Sequence, residues 1–279
     1  SAFKLRAELY GHEQDVRGCC EAQDGLIATC SRDTTVRLFQ MEGANVAKPK
    51  AVLHGHQHFV ACVTYLPPCP NLPSGALFSG GNDRTISGQT IVEPVINMWD
   101  ISTGQPIMSL SGHTLTVCGL ATSQLNGGQL VSVSWDKTAR VWDLSTMSTT
   151  AVLSGHQAAV WAALILDDGT IATGSADRTI KLWQGTTCRS TLQGHTDCVR
   201  ALARTEYGFA SAGNDGMVRL WTAMGDAVGQ IAAHGAFIYS LSALPSGELV
   251  TSAEDRTARV WSGEECVGPL QHAGSVWGV

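Results

Sequence analysis

The chain has 279 residues, of which 44% are hydrophobic and only 15% are charged, and its net charge is −6. This balance is typical of a folded chain and is too apolar for intrinsic disorder. The acidic net charge argues against a polybasic nucleic-acid-binding protein. The longest apolar run, residues 158–166, is much shorter than the roughly 20 residues of a membrane-spanning helix, so we expect no membrane insertion.

The nine cysteines show no spacing typical of a metal site. No C-x-x-C motif occurs, and Cys19-Cys20 is a bare pair. An odd number of cysteines, without a signal-like stretch at the start of the sequence, indicates a reducing compartment. We therefore expect a cytoplasmic protein, with the nucleus as a second compartment, that binds no metal and no cofactor.

A Gly-His pair recurs along the chain with a period near 40 residues. The steps from one histidine to the next run from 38 to 57 residues, and the longest is an early one. The five intact and two degenerate pairs are Gly11-His12, Gly55-His56, Gly112-His113, Gly155-His156, Gly194-His195, Ala233-His234 and Gln271-His272. Self-similarity at this period is the signature of a repeat architecture.

A turn aspartate followed six residues later by an aromatic residue is the second repeated element. Its copies are SRDTTVRLF (31–39), SWDKTARVW (134–142), SADRTIKLW (175–183), GNDGMVRLW (213–221) and AEDRTARVW (253–261). In the second copy, Asp83 and Trp99 are 16 residues apart. We therefore expect ten extra residues, within residues 87–94 or nearby, in one hairpin turn.

Short alternating apolar segments follow turn signals throughout the copies. In chain order, residues 26–29, 169–173 and 248–251 each follow or include a turn that contains glycine. Such segments are typical of strands, and no apolar stripe with the 3.6-residue period of a helix is present. The sequence therefore predicts an all-β protein.

Each copy also places a histidine, a Ser or Thr, an Asp and a Trp at regular spacing. The complete sets are His56/Ser79/Asp83/Trp99, His113/Ser132/Asp136/Trp142, His156/Thr173/Asp177/Trp183, His195/Ser211/Asp215/Trp221 and His234/Thr251/Asp255/Trp261. A hydrolase needs one such constellation in a pocket, so six copies favour buried hydrogen-bond networks over a catalytic triad. The first copy, His12/Thr29/Asp33, has Phe39 in the Trp place and should be one bond short.

Three features resemble the WD40 repeat over the whole chain: the Gly-His pairs, the turn aspartates and a Trp-Asp pair at the end of a copy. The Trp-Asp pair itself occurs at Trp99-Asp100 and Trp142-Asp143. The resemblance implies a β-propeller of four-stranded blades, formed by residues 1–279 as a single domain. The copies supply six complete blades, and residues 265–270 give the outer strand of the sixth.

Residues 274–279 would begin the inner strand of a further blade, and residues 3–9 would form its outer strand. We therefore expect the seven-bladed type with an incomplete seventh blade. Closure as six blades is the alternative, and it leaves residues 275–279 unexplained.

The resemblance also implies a binding surface on the loop face. Its positions flank the Val or Ile after each Gly-His, or precede the turn Asp. From these positions we expect the partner-binding residues to be Asp15, Arg17, Arg32, Phe59, Asn82, Trp135, Trp161, Arg200, Asn214, Phe237, Tyr239, Glu254 and Trp277. Trp, Tyr and Arg are the usual anchors of protein interfaces. Strand-start aromatics also pack between blades, and this alternative stays open for Trp161 and Tyr239.

The sequences of individual copies are similar to those of one narrower family. GHEQDVRGCC (11–20), FVACVTYLPPCPNLPSG (59–75) and GHQAAVWAALIL (155–166) resemble the N-terminal propeller of the phospholipase-A2-activating protein, or ubiquitin-fusion-degradation factor, family. The ten-residue insert and Ala233 depart from the pattern of that family. The resemblance implies that the loop face binds mono- or poly-ubiquitin in ubiquitin-dependent degradation or sorting. It also implies an AAA ATPase partner, bound only through further domains that this sequence does not contain.

Two other functions are alternatives to ubiquitin binding. A scaffold for a short acidic or modified peptide on the same face would use Arg17, Arg32 and Arg200. An enzyme, for example a phospholipase, is not expected, because the sequence has neither a G-x-S-x-G motif nor metal-ligand spacing.

Overall fold

The structure, a computed structural model, describes residues 7–43, 46–82, 86–87, 90–91 and 94–279. This part of the chain contains strands and two short 3-10 turns, Gln23–Gly25 and Leu125–Gly127. It includes no helix long and apolar enough to span a membrane. The chain contains two compact units. The N-terminal unit extends to Val152 without residues 137–139, and the C-terminal unit comprises residues 137–139 and Leu153–Val279.

The N-terminal half of the chain forms three four-stranded antiparallel sheets. Its strands are β1 (Val16–Glu21), β2 (Leu26–Ser31), β3 (Val36–Glu42), β4 (Val46–Leu53), β5 (Val60–Leu66), β6 (Ala76–Gly81), β7 (Ile86–Ser87), β8 (Thr90–Ile91), β9 (Val95–Trp99), β10 (Pro106–Ser111), β11 (Val117–Ser123), β12 (Gln129–Ser134), β13 (Thr138–Asp143) and β14 (Ser148–Ser154). Sheet 1 is β1-β2-β3-β4, sheet 2 is β5-β6-β9-β10 and sheet 3 is β11-β12-β13-β14.

The C-terminal half of the chain forms three more sheets of the same kind. Its strands are β15 (Val160–Ile165), β16 (Ile171–Ser175), β17 (Ile180–Gln184), β18 (Thr187–Leu192), β19 (Val199–Thr205), β20 (Gly208–Gly213), β21 (Met217–Thr222), β22 (Ala227–Ala232), β23 (Ile238–Ala243), β24 (Leu249–Ala253), β25 (Thr257–Ser262) and β26 (Glu265–Gln271). Sheet 4 is β15-β16-β17-β18, sheet 5 is β19-β20-β21-β22 and sheet 6 is β23-β24-β25-β26.

The hydrophobic core of each unit lies between successive sheets. In the C-terminal unit, Leu182 of sheet 4 belongs to one buried cluster with Phe209 and Trp221 of sheet 5. The inner strands come close because small residues occupy their contact positions. A Cβ on Gly174 would lie only 2.7 Å from Cγ1 of Val199, and Gly80 has the same relation to Val117 in the N-terminal unit. Larger residues at these glycines would force the sheets apart.

The six complete four-stranded blades expected from the repeats are confirmed as six sheets. The expected insert between β6 and β9 contains a two-stranded ribbon, in which Ile86 pairs with Ile91 and Ser87 pairs with Thr90. This is the hairpin turn that the spacing of the second copy predicts, although Asp83 itself lies outside the described residues.

The prediction of an inner strand at residues 274–279 is wrong, because the structure assigns no strand there. The segment is instead attached to sheet 6 on one side. The Val276 N–H donates to the Ala253 carbonyl at 3.1 Å, and the Val279 N–H donates to Ser240 Oγ at 3.3 Å. No strand of the described chain pairs with the segment to make it part of a ladder. Residues 3–6 of the expected outer strand lie outside the described residues. The seven-bladed type and the single domain therefore stay predictions.

Candidate protein-interaction site

All six sheets carry a β-bulge at the same place, immediately after the first residue of the first strand. The pairing register shifts there by one residue, for example between Val160 and Ala162, between Val199 and Ala201 and between Ile238 and Ser240. A bulge leaves one residue out of the ladder and redirects its side chain. The six bulged residues are Arg17, Ala61, Cys118, Trp161, Arg200 and Tyr239. Four of them are among the predicted site residues.

A backbone hydrogen bond in every sheet joins the other two kinds of predicted position. The N–H of the residue before the turn Asp donates to the carbonyl of the residue before the first strand, at 2.9–3.1 Å. The bonded pairs are Arg32 to Asp15, Asn82 to Phe59, Trp135 to Thr116, Ala176 to Ala159, Asn214 to Cys198 and Glu254 to Phe237. The predicted positions of each sheet therefore meet at one end, which we call the bulge end. The opposite end, where the first strand turns into the second, is called the hairpin end.

Four site residues of the C-terminal unit form a continuous stacked row: Trp161, Arg200, Tyr239 and Trp277. The Arg200 guanidinium carbon lies 4.0 Å from the centroid of the Trp161 ring and 5.9 Å from that of Tyr239. The rings of Tyr239 and Trp277 are stacked, with centroids 4.1 Å apart and planes inclined by 16°. Cation–π and stacking contacts of this kind each contribute about 0.5–1.5 kcal/mol and fix the orientation of the rings.

Neighbouring residues hold this row in place and extend it. Arg200 Nε donates to Oδ1 of Asn214 at 2.9 Å, which fixes the plane of the guanidinium. Phe237 is exposed beside the row, with 38% of its surface accessible, and Glu254 is exposed as well. Trp161 and Tyr239 are half-buried, and neither is among the residues of the core clusters described for this part of the chain. Their role as partner-binding residues stays a prediction.

The site residues of the N-terminal unit are arranged more loosely. Arg32 Nη1 lies 3.7 Å from Oδ2 of Asp15, and both side chains are half-exposed. The Arg32 guanidinium is also 5.9 Å from the ring centroid of Phe59. Exposed ion pairs contribute little to stability, so these side chains can change partners at small cost.

Asn82, Trp135 and Arg17 complete the predicted set in this unit. Asn82 Oδ1 accepts a hydrogen bond from the Thr116 hydroxyl at 2.9 Å, which links sheet 2 to sheet 3. Trp135 stands at a turn with 37% of its surface exposed, and Arg17 is half-buried at the bulge of sheet 1. Of these three, Trp135 is the large apolar surface that a partner can reach.

The His, hydroxyl, Asp and Trp sets form the buried networks that the sequence predicts. In sheet 5, His195 Nδ1 is 2.9 Å from Asp215, His195 Nε2 is 2.7 Å from Ser211 Oγ, and the Trp221 indole N–H donates to the same hydroxyl at 2.8 Å. The same contacts occur in sheets 3, 4 and 6. In sheet 2, His56 Nε2 contacts Ser79 Oγ, and the Trp99 indole N–H donates to the same hydroxyl.

The first network lacks the indole bond, as expected. His12 contacts Asp33 at 2.7 Å and Thr29 at 2.8 Å, but Phe39 is buried in the Trp place and has no N–H to donate. All six histidines are buried or nearly so, and each ring nitrogen whose contact the structure describes has a scaffold partner. These sets hold the sheets together and offer no accessible nucleophile.

Burial and hydrogen bonding shift the pKa values of the network groups. Burial alone would raise the pKa of Asp177, but hydrogen bonds from Thr179, Gln157 and His156 lower it to about 2. Burial lowers the pKa of His156, and the contact with Asp177 offsets this only in part. The directions are the same for Asp255 and His234 in sheet 6. At neutral pH the networks of sheets 4 and 6 therefore pair an ionised carboxylate with a neutral imidazole, whose Nδ1–H donates to the carboxylate.

Sequence reasoning found the members of the stacked row but missed the row itself. The available signal was that positions 161, 200, 239 and 277 are equivalent in successive copies and read Trp, Arg, Tyr, Trp. Equivalent positions of neighbouring sheets lie side by side, so an arginine between aromatics predicts stacking. Among the described residues, no group of three or more His, Cys, Asp or Glu side chains is arranged to hold a metal ion.

Comparison with known proteins agrees with the repeat. The family model of the WD domain, G-beta repeat, matches residues 3–40, 47–87, 104–143, 147–184, 186–222 and 225–262. The crystal structure of the WD40 beta propeller domain of Doa1 superposes with a TM-score of 0.83 at 34% identity, covering 98% of this chain and 88% of that one.

Two curated relatives show how much of a longer protein the chain represents. Ubiquitin homeostasis protein lub1 of Schizosaccharomyces pombe is 38% identical over 100% of this chain and 37% of its own length. Phospholipase A-2-activating protein of Xenopus laevis is 38% identical over 60% of this chain and 20% of its own length. The chain thus corresponds to less than half the length of either relative. By its repeats, its sheets and these similarities, the chain belongs to the WD40-repeat family, and its six four-stranded sheets are the blades.

Proposed function

We propose that this chain is a ubiquitin-binding module of ubiquitin-dependent degradation or sorting, and that it binds ubiquitin through the bulge end of its sheets. The observation that carries the proposal is the stacked row of Trp161, Arg200, Tyr239 and Trp277 beside exposed Phe237. A set of aromatic side chains held at a surface, with few charges among them, is the usual core of a protein interface. Similarity along the whole chain to a relative named for ubiquitin homeostasis supports ubiquitin as the partner.

The chemistry of the bulge end suits the ubiquitin surface. Ubiquitin presents a small apolar patch bordered by basic residues. The ring faces of Phe237 and Trp277 can cover the patch, and Glu254 supplies a carboxylate for the basic border. The positive charge of Arg200 is engaged by the Trp161 ring and by Asn214, which reduces its repulsion of that border.

The N-terminal unit offers a second set of contacts of the same character. Trp135 is exposed, and Asp15 is only weakly engaged by Arg32. A basic residue of ubiquitin can replace Arg32 at little cost, because exposed ion pairs are worth less than about 1 kcal/mol. A surface of this limited size predicts weak binding, with a Kd on the order of micromolar.

Titration of isotope-labelled ubiquitin with the protein, followed by chemical-shift mapping, tests the proposal. We expect shifts confined to the apolar patch of ubiquitin, and about tenfold weaker binding for each of Trp161→Ala and Phe237→Ala. Tyr207→Ala is the matched control, because Tyr207 is 80% exposed but lies at the hairpin end of sheet 5. If the two bulge-end variants bind ubiquitin as tightly as the control variant, the site assignment is wrong.

A second candidate ligand is a short acidic or modified peptide on the same face. Half-exposed Arg32, close to Phe59, favours this alternative. An acidic peptide that displaces labelled ubiquitin would show that one surface serves both ligands. An acidic peptide that binds when ubiquitin does not would replace the proposal.

A further inference from the structure

A groove lies at the hairpin end of the C-terminal unit. The stacked row lies at the other end of the sheets, the bulge end. Its volume is about 730 Å³, within the usual range of ligand sites. It runs between sheets 5 and 6, where Tyr207 lies on one side and the turn around Pro245 on the other. We call it the hairpin-end groove.

The floor of this groove is apolar. It is lined by Leu220, Val228 and Ile231 of sheet 5 and by Trp261 of sheet 6. Val228 is 60% exposed and Tyr207 is 80% exposed, although both are large apolar side chains. Exposed apolar side chains that surround a concave surface mark an interaction site more often than isolated ones do.

The rim of the groove carries more acidic than basic side chains. Asp167, Arg204 and Glu206 line it, and Arg204 is paired with Asp167. Glu206 is exposed beside Tyr207. Three more acidic residues lie within two chain positions of lining residues, and they are Asp226, Glu248 and Glu264.

Arg189 also reaches this side of sheet 5, whereas Arg219 and Arg259, within two chain positions of lining residues, are bonded to Gln230 and Asp255. Arg189 contacts Met224 Sδ at 2.8 Å, in the turn that precedes Val228. The acidic residues on this side therefore outnumber the arginines. In addition, the pKa of Glu248 is lowered by the hydrogen bond from the Ser246 hydroxyl, so this carboxylate is ionised at neutral pH.

An apolar floor inside an acidic rim is complementary to one class of ligand. We propose that the hairpin-end groove binds a short extended peptide that places one large apolar side chain on the floor, with Lys or Arg residues on both sides of it. The apolar side chain would lie between Tyr207 and Val228, and the basic residues would meet Glu206 and the carboxylates of the neighbouring turns. This site is separate from the bulge end, so ubiquitin and the peptide bind independently.

Selection from a phage-displayed library of random heptapeptides against the protein tests this inference. The expected consensus is an aromatic or aliphatic residue flanked by Lys or Arg. The enriched peptide, labelled with fluorescein, is then titrated by fluorescence polarisation. Tyr207→Ala and Glu206→Lys should each weaken its binding about tenfold or more, and added salt should weaken it further.

Matched controls are available at other exposed positions. Tyr10→Ala removes a tyrosine that is 74% exposed, and Glu21→Lys reverses an exposed carboxylate, both in the N-terminal unit. Neither should change binding of the peptide, and Glu206→Lys should leave ubiquitin binding unchanged.

Three results would overturn the inference. The first is that no peptide is enriched, and the second is that the enriched peptides are acidic. The third is that Tyr207→Ala and Glu206→Lys have no more effect than their controls. A dimer of the protein that Tyr207→Ala dissociates would show that a second copy, and not a basic peptide, occupies the groove.

Discussion

The buried network and the bulge of each sheet are built in opposite ways. The network repeats a His, a Ser or Thr, an Asp and a Trp from sheet to sheet, with Phe39 replacing the Trp in sheet 1, and its members satisfy the hydrogen bonds of one another. The bulged residue lies outside the ladder and differs from sheet to sheet, being Trp161, Arg200 and Tyr239 in the C-terminal unit. Substitutions in the network should therefore act on stability, whereas substitutions at the bulges should act on recognition.

The largest expected effect is the loss of stability in acid. His156 and His234 have folded-state pKa values below their ordinary value, so the stability they contribute is present above about pH 6.5 and is lost as pH falls below it. Asp177 and Asp255 also have lowered pKa values, so their contribution is present above about pH 4 and is lost as pH falls through the lowered values. Urea unfolding between pH 7 and pH 3 should show a decline in two stages.

Asp177→Asn is the variant that checks the second stage. It should lower the free energy of unfolding at pH 7 and flatten the decline below pH 4, because one of the titrating carboxylates is gone. A decline below pH 4 as steep as that of the wild type would show that the network carboxylates do not govern acid unfolding.

Ser211→Ala should have the next largest effect. It leaves the Trp221 N–H and His195 Nε2 without their partner inside the core, which costs about 2–4 kcal/mol. Urea unfolding at pH 7 measures the change, and Ser246→Ala, at an exposed turn, is the control with an expected change under about 0.5 kcal/mol. Equal effects of the two substitutions would contradict the assigned role of the network.

Arg200→Ala should weaken ubiquitin binding about tenfold, or about 1.4 kcal/mol, by removing the cation that orders Trp161 and Tyr239. Its effect on the free energy of unfolding should be smaller than that of Ser211→Ala. Arg189→Ala, on the exposed outer strand of sheet 4, is the control. The comparison fails if Arg200→Ala unfolds the protein or leaves ubiquitin binding intact.

Trp221→Phe should have the smallest effect, about 1 kcal/mol. It removes the indole N–H but leaves the Ser211 hydroxyl bonded to His195, which reproduces the arrangement of sheet 1 around Phe39. Thermal unfolding should place this variant between the wild type and Ser211→Ala. A loss as large as that of Ser211→Ala would mean that sheet 1 compensates for Phe39 by another contact.

Much of the fold could be predicted because the spacing of the network residues determines the strands. The four residues of a network can meet only if the strands between them pair in one register, as those of His195, Ser211, Asp215 and Trp221 do. Each set therefore predicts one sheet. Residues 274–279 show where this reasoning failed. They repeat the Val position of an inner strand, but strand formation depends on a partner strand, which local sequence does not reveal.

The repeat predicts which positions of each sheet meet at the bulge end, but it does not predict the contacts between their side chains. The bulges after Val160, Val199 and Ile238 cannot be predicted from residue type, because different residue types occupy the position outside the ladder. The bond from Arg200 joins the first strand of sheet 5 to Asn214 in the turn after the second strand, so predicting it required the strand register. The sequence does not predict the hairpin-end groove, because Glu206 and Val228 occupy ordinary turn and strand positions.

The bulge has a consequence for how such a protein acquires partners. Each sheet provides one position that contributes nothing to the ladder, so a change of residue there leaves the strand pairing intact. Adding a repeat therefore adds one adjustable surface position along with the strands that hold it. The number of independent substitutions through which binding can change grows in step with the number of sheets, while the stabilising network keeps nearly the same residue types in each.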